Sequence, residues 1–81
     1  MPETFITAER IFDRHATALD LPALGDKSID DYVAEGAKDS KEGARQLRAA
    51  FDAACVGLHD AVHEALYQAR QHIDPRFRAG R

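Results

Sequence analysis

The chain has 81 residues, a net charge of −3 and a single cysteine, so it is one domain at most and no disulfide can close within it. A hydrophobic fraction of 44% excludes wholesale disorder. No stretch reaches the ~20 apolar residues of a membrane helix, and "MPETFITAERIF" lacks the basic start and apolar run of a secretion signal.

The first predicted helix runs from Thr7 to Leu19. Ala8, Ile11, Phe12, His15 and Leu19 recur at helical spacing and form its apolar face. Thr7 or Thr4 can cap its start. In "DLPALGD", Pro22 and Gly25 break the pattern, and Leu21 and Leu24 are available to plug the core. The second helix is short. "SIDD" has the form of a capping box, with Ser28 as cap and Asp31 three residues on. Ile29, Tyr32 and Val33 share a face, Gly36 is a stop signal, and Asp30 and Asp31 suit the positive end of a helix dipole.

The third predicted helix runs from Lys41 to Ile73. Asp39 and Glu42 repeat the capping-box spacing, Ser40 is also assigned a capping role, and Pro75 ends the helix. Ala44, Leu47, Phe51, Ala54, Cys55, Leu58, Val62, Ala65, Leu66, Ala69 and Ile73 mark a continuous apolar stripe. Such a helix would be about 50 Å long, more than the ~30 Å of a compact chain of this size. Either it breaks, near Gly57, or a second copy covers what the shorter helices cannot. The stretch "AAFDAACVGL" is apolar almost all round, which favours the second copy. Ala49, Ala53, Gly57, Ala61, Ala65 and Ala69 recur every four residues, a ridge that lets a helix approach closely. Gly57 inside a helix costs ~1 kcal/mol against Ala and calls for such a reason. The expected fold is therefore all-α with three helices. A long C-terminal helix is packed by a short N-terminal helix and a short linking helix. Residues 1–74 form the domain, and 75–81 a basic, flexible tail. Two copies form a helical-bundle homodimer, centred on Phe51, Ala54, Leu58, Ala61 and Val62.

One row of side chains invites a metal. On a continuous helix Cys55, His59 and His63 rise at four-residue steps, and His59 and His63 at i, i+4 can hold one zinc or nickel ion. Asp52, Asp60, Glu64, or His15 from the first helix, would have to complete the site. The plainer reading is a packed cysteine and two half-exposed histidines, and it weighs more, because "HDAVH" lacks the glutamate of the "HExxH" motif.

Catalysis finds little support: Cys55 is expected among apolar neighbours that keep a thiol inert, and no Gly-rich phosphate loop occurs. The chain is expected not to be an enzyme. Charge is uneven, with a net of −5 over residues 1–40 and +2 over 41–81. An acidic first half disfavours nucleic acid as a direct ligand. Arg70, Arg76, Arg78 and Arg81 read best as a solvated, dipole-completing end. The expectation is a small, soluble, cytoplasmic interaction module, an inhibitor or regulator of a larger machine. Its acidic surface of Asp26, Asp30, Asp31 and Glu35 would meet a basic partner. The alternative is a metal-binding helical protein using the Cys55–His59–His63 row.

Overall fold

Three helices open on a hydroxyl that satisfies a backbone N–H left free at the helix start. Thr7 accepts from the Arg10 amide and opens α1 (Ala8–Ala18). Ser28 accepts from the Asp31 amide and opens α2 (Ile29–Gly36). Ser40 accepts from the Gly43 amide and opens α3 (Lys41–Cys55). The fourth, α4 (His59–Arg70), follows Leu58 with no side-chain cap. The computed structural model describes residues 7–38 and 40–73. The expected caps Thr4 and Asp39 and the basic tail 75–81 lie outside the described residues.

The expected long third helix is two helices, so the described residues form four helices rather than three. Gly57 is the reason. It adopts φ +74°, in the left-handed region that glycine enters without a steric penalty. Its amide donates to the Ala54 carbonyl at 3.1 Å, and the Leu58 amide donates to the Ala53 carbonyl at 3.0 Å. These two bonds make a Schellman motif, which satisfies the last carbonyls of α3 and turns the chain. Gly57 therefore sits where a helix ends, and no close neighbour helix is needed to justify it: a Cβ built on it would meet nothing within 4 Å.

Folding α4 back on α3 resolves the length problem. The radius of gyration is 11.7 Å and the long axis 39 Å, close to the roughly 12 Å radius of a compact chain this size. α1 packs against both α3 and α4, and α2 lies along α3. Phe12, Leu21, Leu47, Val62 and Leu66 are fully buried, and Leu24 nearly so, which confirms the two leucine plugs of the first loop. The Phe12 ring meets Tyr32 edge-on at 5.2 Å and lies tilted to Phe51 at 6.0 Å. The Tyr32 hydroxyl donates to the Pro22 carbonyl at 2.7 Å, tying α2 to the first loop. Burial, and then the Asp13 carboxylate, hold that phenol well above its usual range, so it stays a neutral donor. Asp13 itself accepts from the Leu24 amide at 2.7 Å. Gly43 allows a close approach: a Cβ there would lie 3.1 Å from the Cβ atoms of both Ala37 and His72.

The seam expected along one unbroken helix is divided by this arrangement. Ala54 and Val62 are buried in the chain's own core, and Phe51 is half-buried against it. Only Leu58 and Ala61 of that set are exposed. Among the described residues no helix is long and apolar enough to cross a membrane.

Candidate functional site

Two features cluster where α3 turns into α4. The first is the turn itself. Val56 is 68% exposed and Leu58 57%, and with Cys55 they surround Gly57 in an apolar tip. Leu58 occupies the N-cap of α4, a position where Ser, Thr, Asp or Asn would satisfy an amide and Leu cannot. Leu58 thus forgoes a cap and leaves apolar surface in water.

The second feature is a set of three imidazoles. His15 comes from the last turn of α1, His59 from the first residue of α4, and His63 from one turn later. His15 Nε2 and His59 Nδ1 are 3.1 Å apart and share a hydrogen bond whose donor depends on the tautomers. The ring centroids of His15 and His59 lie 5.3 Å apart, and those of His15 and His63 lie 5.7 Å apart. Partial burial lowers the pKa of His15, as do the charges of His59, His63 and Arg14, while Asp60 opposes them. The result is a preference for neutral imidazole at position 15. His59 also lines a surface groove of about 540 Å³ with Arg10, Ile11, Asp13, Arg14 and Thr17.

The expected Cys55–His59–His63 row is not one helical row. Cys55 ends α3, whereas His59 and His63 ride on α4, with the Gly57 turn between them. Cys55 is also exposed rather than packed on an apolar edge. Its place beside the two histidines is taken by His15, 44 residues before His59. Among the described residues, no group of three or more His, Cys, Asp or Glu side chains is placed so that it could hold a metal ion.

The acidic set is exposed but partly neutralised. Asp30 pairs with Arg48, and Glu35 with Lys27 at 2.6 Å. Among the described residues Asp26 and Asp31 carry no ion pair. Comparison of the chain with protein-family models, with curated proteins and with solved structures finds no match.

Proposed function

We propose that this chain is a small non-enzymatic protein-interaction module that docks on a larger protein, as an inhibitor or regulator, through its apolar α3–α4 turn. One observation carries this reading: Leu58, uncapping and exposed, at a position where a polar residue would serve the isolated fold better. A residue that works against local stability on an exposed tip is best accounted for by a contact it makes elsewhere. Asp26 and Asp31, without an ion pair among the described residues, add negative charge that would steer the module toward a basic surface. Asp30 and Glu35 contribute less, because Arg48 and Lys27 already offset them. We place the module in the cytoplasm, where an exposed Cys55 stays a thiol.

The test is site-specific photo-crosslinking in cells that make the chain. A probe at Val56 should give one discrete adduct with a larger protein, and Leu58→Asp should abolish it. A probe at exposed Glu64 should give none. No adduct from Val56, or equal adducts from both sites, would refute the docking tip. An adduct with the mass of two chains would replace the larger partner with a second copy, joined through Leu58 and Ala61.

A further inference from the structure

We propose that the groove formed by α1 and the start of α4 is a binding site for a small phosphate monoester of the sugar-phosphate class, with Arg10, Arg14 and His59 holding the phosphate. The groove lies beside the docking turn, but the inference does not rest on that reading.

The two arginines are the first support. Arg10 and Arg14 stand one helical turn apart on α1, both exposed, and among the described residues neither has a carboxylate partner. Like charges at that spacing destabilise a helix. α3 treats its arginines differently: Arg45 pairs with Glu42 at 2.6 Å, and Arg48 pairs with Asp30. Asp13 lies three residues from Arg10, the same step that joins Glu42 to Arg45, but its carboxylate turns instead to the Leu24 amide. The two guanidiniums are therefore left to an outside anion. A phosphate dianion can accept N–H donors from both at once.

His59 completes the phosphate end. Its Nδ1 is engaged by His15 Nε2 at 3.1 Å. In the bound state His15 is the donor of that bond, so His59 carries its own proton on Nε2 and gives it to a phosphate oxygen. The rest of the groove fits the body of the ligand. Its volume of about 540 Å³ falls within the ~300–1,000 Å³ of small-molecule sites. Ile11 supplies an apolar wall. Thr17 already donates its hydroxyl proton to backbone carbonyls of α1, so it offers a ligand only an acceptor. Asp13 keeps its second carboxylate oxygen for the same use. Acceptors beside the arginines suit sugar hydroxyls. The Asp13 charge repels a second phosphate, which favours a singly phosphorylated sugar over a polyphosphate or a nucleic acid. That charge, together with exposure to solvent, keeps the affinity modest and salt-dependent.

Ribose 5-phosphate titrated by calorimetry into the full chain at constant ionic strength should bind once per chain. Arg10→Gln and Arg14→Gln should each weaken binding at least about 10-fold, while Arg45→Gln on α3 leaves it unchanged. Inorganic phosphate should bind more weakly than ribose 5-phosphate, and ribose should not bind. Far-UV circular dichroism shows whether the variants keep their helices. Should they unfold, amide chemical shifts of the wild-type chain decide. Changes under ribose 5-phosphate centred on residues 10–17 and 59 uphold the site, and changes centred elsewhere refute it. Binding undiminished in either folded α1 variant would overturn the proposal. So would inorganic phosphate or ribose binding as tightly as ribose 5-phosphate, loss of binding in Arg45→Gln, or no saturable binding at all.

Discussion

α1 and α3 end in the same way and use that ending oppositely. Each closes in a Schellman motif. At α1 the Asp20 amide donates to Thr17 and the Leu21 amide to Ala16, just as Gly57 and Leu58 donate to Ala54 and Ala53 at α3. The residue after the left-handed position is a leucine both times. Leu21 is fully buried and Leu58 is 57% exposed. The first turn therefore drives the chain back into the core, and the second presents its leucine to solvent. The left-handed residue differs too. Asp20 holds φ +69°, where an L side chain is strained, and Gly57 holds φ +74° without strain. The backbone motif alone thus says nothing about use. Burial of the following leucine separates the turn that seals the fold from the turn assigned to docking.

The largest effect that sharpens this contrast is truncation of the two leucines. Leu21→Ala should cost about 2–5 kcal/mol, as other buried leucines do. Leu58→Ala should fall within roughly 0.5 kcal/mol of wild type. Urea titrations of the two variants compare them directly, and equal losses would erase the distinction. The glycine comes next. Gly57→Ala forces a Cβ into the left-handed region and should destabilise by about 1–2 kcal/mol, although open space surrounds the site. Asp20→Gly relieves the matching strain at α1 and should stabilise by up to about 1 kcal/mol in thermal unfolding, a gain reduced by the glycine's greater freedom in the unfolded chain.

The smallest effect is a pH dependence. His15 titrates lower in the folded chain than in the unfolded one, so between the two values the unfolded state binds more protons. Its contribution to stability is complete above about pH 6.5, the ordinary histidine value. It declines as pH falls through the lowered folded value. In chelator-treated protein, His15→Gln should lose less stability than wild type between pH 7 and 5. An identical slope in the two proteins would remove the effect.

Local chemistry was readable from residues a few positions apart. The caps at Thr7 and Ser28, the leucine plugs at 21 and 24, and the shared face of Ile29, Tyr32 and Val33 all depend on neighbours in sequence. The apolar stripe points to one unbroken helix, whereas the chain breaks at Gly57 into α3 and α4. That stripe runs through both α3 and α4 because both pack on the same core, so its periodicity is unaffected by a turn of three residues. The ridge of small residues is likewise split, with Ala49 and Ala61 exposed and Ala65 and Ala69 buried. The available signal was glycine followed by leucine, the order that a Schellman turn uses. The histidine set was half readable. His59 and His63 announce each other by their spacing, while His15 reaches them only because α1 lies against α4.

The central claim is that Leu58 is displayed rather than packed, and its most direct test is the unfolding free energy of Leu58→Ser by urea titration. Serine at the N-cap would give α4 the hydroxyl acceptor that α1, α2 and α3 already have. The account predicts a gain of about 1 kcal/mol. A loss of about 1 kcal/mol or more would contradict it, because Leu58 would then be holding the turn together and would not be free for a partner.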